Sequence, residues 1–321
     1  MGERSGNQRQ LSASSRSKFI KKDKEGVASV IGTIMALLVF LTFLTLFTNT
    51  YIPIWMKENE KNHMDEVLNQ FGDIKGKIDS LVVNAQVTGQ STINMYQPFT
   101  LGSDGVPVFA SATAGYLFLK PTGSIDSGVR ESFYYSIESG NSTPFNENGG
   151  GCVEFYGPNR YYVQQWYAYE NGALLIYQQD GMAMRAAPSL NFILNGDGTV
   201  NVQFDQVDLI GKNSSVSGLG SAGATIDLIY HDPQTYDLCR SNGDDNGDLT
   251  MVFTTRYNTT WMSFIRETAM EAGLNETEGD FNLTEEVKIV EYRSVYEITL
   301  TISNVDQFTH NRGYVIIELE Y

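Results

Sequence analysis

The sequence is poor in several residue types, and each shortage removes a class of function. Only two cysteines occur in 321 residues, Cys152 and Cys239. That rules out a disulfide-built scaffold and a four-thiolate zinc site. The three histidines, His63, His231 and His310, are scattered, and none falls in H-E-x-x-H or a similar spacing. No G-x-S-x-G elbow is present. With no nucleophile–base pair and no metal constellation, the chain reads as a non-enzyme without a cofactor. Basic residues are scarce too: 22 Lys and Arg stand against 38 Asp and Glu, a net charge of −16. An acidic surface of this kind repels a phosphate backbone, which excludes nucleic acid as a partner.

Charge is missing altogether from one stretch. Between Val27 and Ile52 there is no Asp, Glu, Lys, Arg or His. As a helix this run rises about 39 Å, enough to cross a hydrocarbon layer of about 30 Å with some tilt. A cleaved secretory signal would have a shorter apolar region followed by a small-residue site. The following TNTYIPIWMK offers no such site, so the run reads as a retained transmembrane helix over 27–55. Tyr51 and Trp55 stand where interfacial aromatics belong, and Pro53 is a place for a kink. Residues 1–25 hold seven Lys or Arg against three acids, a net +4 that leaves −20 for the remainder. That flank puts residues 1–26 in the cytoplasm, as a basic leader, and everything after Trp55 outside the cell membrane.

Beyond the membrane run the texture changes twice. Over 56–85, Met64, Val67, Phe71, Ile74, Ile78, Leu81 and Ala85 recur at spacings of three and four, the stripe of an amphipathic helix. Two partners suit this stripe: the chain's own outer domain, or the same stripe of another subunit in a coiled coil. From Gln86 to the end, short aromatic and β-branched runs alternate with Gly, Asn, Asp and Pro clusters. ENGA at 170–173 and LNGDGT at 194–199 are turn signals, and TTWMSFIRETAMEAGL at 259–274 is the one helix, with Thr259 or Thr260 as N-cap. The expected fold is therefore mainly β. A long N-terminal transmembrane and amphipathic α-helix leads into an extracellular β-sandwich-like domain over 86–321, with one short helix inserted.

Four further patterns need weighing. GLGSAG at 218–223 matches G-x-G-x-x-G, but polar NSSVS precedes it and a strand pattern follows, so it reads as a loop. Asp244, Asn246 and Asp248 have the alternate spacing of calcium-loop oxygens. Counted from Asp244, however, Leu249 occupies the glycine position and Thr255 the glutamate position, so SNGDDNGDLT reads first as a solvated hairpin loop and only weakly as a metal site. Cys152 and Cys239 are chemically free to form a disulfide outside the membrane, though sequence does not give their separation. Five N-x-S/T sequons, at Asn141, Asn213, Asn258, Asn275 and Asn282, all lie on the outer side and are open to N-glycosylation.

KEGVASVIGTIMALLVF, with Val27-Ala28-Ser29-Val30-Ile31-Gly32 at its centre, resembles the start of archaeal type IV pilin-like proteins. The stretch YIPIWMKENEKNHMDEVLNQFGDIK, together with Tyr167–Gly181 (YAYENGALLIYQQDG), is similar to an archaeal family of uncharacterised membrane-anchored β proteins. The pilin resemblance implies a prepilin-type peptidase acting between Gly26 and Val27, and self-assembly through the exposed N-terminal helix. Ile31 stands at the fifth mature position, where a bacterial-type pilin has Glu. The function expected is a non-enzymatic single-pass surface protein, pilin-like and structural or adhesive. The alternative is an unprocessed membrane-anchored extracellular binding module.

Overall fold

The computed structural model describes residues 9–89, 93–123, 125–126, 129–130, 132–139, 145–238, 247–290 and 293–320. The chain is mainly β, with a long N-terminal helix and one short helix later. It divides into two units, Met1–Trp55 and Met56–Tyr321, and helix α1 (Arg9–Thr88) contributes to both.

In the first unit, α1 is uncharged on every side from Val27 onward. Val30, Ile34, Leu37, Leu41 and Leu46 are all about half exposed, and none of the most apolar window is buried. Four threonines turn their hydroxyls back onto the helix: Thr33 to the carbonyl of Val30, Thr42 to Leu38, Thr45 to Leu41 and Thr48 to Leu44, at 2.8–2.9 Å. Such bonds satisfy the hydroxyls within the helix itself. Phe43, Phe47, Tyr51 and Trp55 follow one another at four-residue spacing, with successive ring centroids 6.3, 5.9 and 6.4 Å apart. The helix runs through Pro53 without interruption.

In the second unit the rest of α1 is part of the core. All seven stripe residues from Met64 to Ala85 are buried, and they form one cluster with strand residues such as Phe99, Leu117, Phe155 and Tyr167. The stripe is therefore satisfied inside its own subunit, and the coiled-coil alternative has no stripe left to use.

The strands are β1 (Met95–Thr100), β2 (Gly115–Pro121), β3 (Ile125–Asp126), β4 (Val129–Arg130), β5 (Tyr134–Ser139) and β6 (Asn146–Gly157). Next come β7 (Gln165–Glu170), β8 (Ala173–Gln178), β9 (Gly181–Ala186), β10 (Leu190–Leu194), β11 (Val200–Ile210) and β12 (Ser214–Gly218). The last are β13 (Ser221–Asp237), β14 (Gly247–Thr255), β15 (Phe281–Val290) and β16 (Arg293–Glu320), with helix α2 (Asn258–Glu271) between β14 and β15. Fourteen of the strands belong to one extensive sheet, antiparallel except where β11 runs parallel to β16. Strand β16 is its hub. Its first half pairs with β14 and β15, and its second half with β13 and β11. The changeover falls beside Asn304, whose φ of 60° puts it in the left-handed region that Asn tolerates.

The five strands β2, β6, β7, β8 and β9 form a meander that positions the site described below. One face carries Leu117, Val153, Phe155, Tyr167, Tyr169 and Ile176 toward α1. The β7–β8 hairpin closes through Asn171 and Gly172, with φ of 46° and 82°, the type I′ geometry that Asn-Gly favours. Asn171 also ties the turn down: its amide donates to the Asp205 carbonyl at 3.1 Å and its oxygen accepts from the Val207 N–H at 2.7 Å.

Candidate functional site

The other face of the meander holds what sequence reading did not find. Because side chains alternate along each strand, register alone lines up Ser217, Tyr116, Tyr156, Trp166, Tyr177 and Met182 in one row across six strands. Tyr156 stacks on Trp166 at 4.3 Å between centroids, Tyr116 on Tyr156 at 6.2 Å, and Phe118 on Trp166 at 6.1 Å. The guanidinium of Arg256 lies 5.0 Å from the Trp166 ring centre, a cation–π contact. Beside it Trp166, Tyr177, Met182, Arg256, Tyr257, Ser294 and Tyr296 line a cleft of about 280 Å³.

Beneath the row lie two carboxylates. Glu154 is buried and accepts from Lys120 Nζ at 2.8 Å, from Tyr257 Oη at 3.3 Å, and from Arg256 Nη1 at 3.4 Å. Burial opposes its charge, but Lys120 and Arg256 outweigh that cost and hold its carboxyl below the usual range. Glu170 is equally buried, but among the described residues no cation is bonded to it. Its Oε2 accepts from the Thr255 hydroxyl at 2.8 Å and the Trp261 indole N–H at 2.9 Å. Burial pushes its carboxyl up to about 8, so it is mostly protonated at neutral pH.

The two acids fix the start of α2. Tyr257 precedes the helix and reaches Glu154, Trp261 in the first turn reaches Glu170, and the Thr255 hydroxyl accepts from the Tyr257 N–H at 3.0 Å. The N-cap is accordingly Tyr257, with no side-chain cap, rather than Thr259 or Thr260. Tertiary anchoring has replaced the local signal.

A pair of acids with environments this different can serve acid–base chemistry, but only where substrate reaches them. Here neither Glu154 nor Glu170 lines the cleft. Arg256 and Tyr257 stand at its wall instead, so this arrangement suits binding. Glu170 nonetheless has a measurable signature. Its folded pKa lies above its unfolded value, so between about pH 4.5 and 8 the native state holds a proton that the unfolded chain releases. Stability therefore falls as pH rises through that window, by up to about 1.4 kcal/mol per pH unit. Urea titrations across that window should show this slope in the parent chain and its loss in Glu170→Gln.

A second polar cluster marks the start of the second unit. Glu60 on α1 is fully buried and accepts four bonds: from the Thr113 hydroxyl at 2.7 Å and from the backbone N–H groups of Arg160, Tyr161 and Tyr162 at 3.0, 2.7 and 2.7 Å. About one turn further on, His63 Nε2 lies 2.9 Å from the Thr100 carbonyl oxygen. Burial lowers the His63 pKa, so the ring is neutral at physiological pH.

The residues singled out from sequence fare differently. Gly26 and Val27 lie within α1, both exposed. Cys152 is buried in the row of Lys120 and Glu170, where burial pushes its thiol up, while Cys239 lies outside the described residues. Asp244 and Asn246 also lie outside them, and Asp248 is an exposed residue of β14. No cluster of three metal-ligating side chains occurs among the described residues. Of the sequons, Asn213 and Asn282 are exposed. Asn258 donates to Glu285 at 2.9 Å, and Asn275 accepts from both the N–H and the hydroxyl of Thr277. Asn141 lies outside the described residues. GLGSAG spans the end of β12, a two-residue corner and the start of β13. No family model, curated protein or solved structure matches this chain, so its functional reading rests on its own residues.

Proposed function

We propose that the chain is a non-enzymatic single-pass surface protein, pilin-like and structural or adhesive. Residues 27–55 hold it in the bilayer, with the N-terminus cytoplasmic and the β domain outside. The observation that carries this reading is the contrast between the two parts of α1. The amphipathic part is used up in the core of the second unit, whereas the apolar part is exposed all round from Val27 to Phe43. A helix of that kind is stable only in lipid or among other apolar helices. The basic flank supplies the orientation. The resemblance around Gly26 and Val27 supplies the route from lipid to assembly: a prepilin-type peptidase removes the leader and the freed helices bundle. Mass spectrometry of the membrane-extracted protein tests this route. A mature chain beginning at Val27 is expected, and an intact leader would contradict processing.

A second reading, an unprocessed anchored binding module, is favoured by the cleft between Trp166 and Tyr296. Four aromatic rings, one guanidinium and one serine hydroxyl in a small concavity have the composition of a ligand site. An intact leader together with saturable ligand binding would favour this reading over the first.

A further inference from the structure

We propose that the cleft between Trp166 and Tyr296 is a carboxylate site that takes one acidic sugar residue, with the carboxylate on Arg256 and the sugar ring against the tyrosines. The inference rests on the reading of that cleft as a ligand site and adds the class of ligand.

Behind the cleft wall two cations share one carboxylate. Lys120 Nζ donates to Glu154 at 2.8 Å and does not line the cleft. Arg256 does line it, and its Nη1 reaches the two Glu154 oxygens only at 3.4 Å, beyond the roughly 2.7–2.9 Å usual for a charge-assisted bond. Among the described residues, neither Nε nor Nη2 of Arg256 is bonded to an acceptor. Glu170 is turned to Thr255 and Trp261 and is mostly protonated at neutral pH, so it supplies no compensating charge. Lys120, Arg256 and Glu154 therefore sum to one positive charge, and Arg256 is the member that presents it to the cleft.

The Arg256 side chain is only 20% exposed and lies over the Trp166 ring. Screening is weak at such a position, and a planar fork of unused donors matches the two oxygens of a carboxylate. One surplus charge balances a monoanion, whereas a phosphate dianion would bring excess negative charge into a chain that is already acidic. The remaining walls choose the body of the ligand. Tyr177, Tyr296 and Ser294 offer two rings and three hydroxyls, and among the described residues those hydroxyls have no bonded partner. A sugar ring answers both, with C–H faces for the aromatic surface and hydroxyls for the hydroxyls. A purely apolar ring would desolvate those hydroxyls without pairing them. A volume of about 280 Å³ stands at the small end of ligand pockets, about 300–1,000 Å³, and suits one ring rather than a chain of them.

Saturation-transfer NMR on the full chain in detergent micelles tests this with four probes: D-galacturonate, D-galactose, benzoate and inorganic phosphate. Galacturonate is expected to bind saturably and at least about tenfold more tightly than galactose, the step that one charge-assisted pair supplies. Benzoate lacks the hydroxyls and phosphate lacks the ring, so both should bind more weakly than galacturonate. Arg256→Gln should bring galacturonate down to the level of galactose. Lys120 keeps its bond to Glu154 in that variant, and retained galactose binding reports that its cleft is intact. Tyr177→Ser, at an exposed position on the wall, should weaken both sugars together. Equal binding of galacturonate and galactose, lost in Tyr177→Ser, overturns the carboxylate assignment and leaves the cleft a ligand site. Benzoate or phosphate binding as tightly as galacturonate overturns the acidic-sugar assignment in the same way. Galacturonate binding that survives both substitutions lies elsewhere on the chain and removes the cleft reading as well. No binding by any of the four probes overturns the inference.

Discussion

Phe71→Ala should cost about 3–5 kcal/mol of stability, a large share of the 5–15 kcal/mol typical of a folded domain. Phe71 sits at the middle of the buried stripe, fully enclosed, with its ring 5.5 Å from Phe99 and 6.2 Å from Tyr167. Truncation removes the transfer energy of the ring and leaves a cavity between helix and sheet that neither can close alone. On the opposite side of the same helix Val83 is 55% exposed. Val83→Ala should change stability by less than about 0.5 kcal/mol. Urea denaturation of both variants in the same micelles measures the contrast. Equal midpoints would mean that the helix does not belong to the domain core.

Glu154→Ala should be comparably damaging, at about 3–5 kcal/mol, for an electrostatic reason. It strands Lys120, whose side chain is only 9% exposed, and takes from Arg256 its anionic partner. The cost lies in the uncompensated charge more than in the lost bond, so removing the second charge should recover part of it. Glu154→Leu combined with Lys120→Met is expected to be more stable than Glu154→Leu alone. Added salt should change the single-variant deficit little, because screening scarcely reaches buried groups. Acid acts on Glu154 in the opposite sense to Glu170. With a folded pKa below its unfolded value, Glu154 stabilises above about pH 4.5 and loses that contribution as pH falls through its folded value. With Glu170 favouring lower pH, stability from this cluster peaks in mildly acidic solution.

Much of the architecture was legible where a pattern is long and one-sided. The three-and-four spacing from Met64 to Ala85 gives the buried face residue for residue, and Asn171-Gly172 gives its turn. Elements defined by distant partners were not legible. NENGGG at 146–151 reads as loop, yet it opens β6, because the backbone there is paired to β5 and β2. Gly149 and Gly150 are needed where Asp208, Tyr135 and Phe133 come too close for any side chain. With β6 hidden, Glu154 and Tyr156 had no strand to place them, and so neither the aromatic row nor the carboxylate pair was visible. Asn304 likewise reads as the end of a strand, whereas in the fold it is the bulge at which β16 changes partners. Glu60 was not singled out from the sequence either, because the Arg160–Tyr162 backbone that binds it lies about a hundred residues away.

The proposed function implies a division of labour within one helix, in which residues up to Trp55 serve the membrane and residues from Met56 serve the fold. Alkaline carbonate extraction of membranes from cells making either the full chain or residues 56–321 measures it directly. The full chain should remain in the pellet, and the shortened chain should appear folded in the supernatant. A full chain released by carbonate, or a shortened chain that stays in the pellet, would contradict the account.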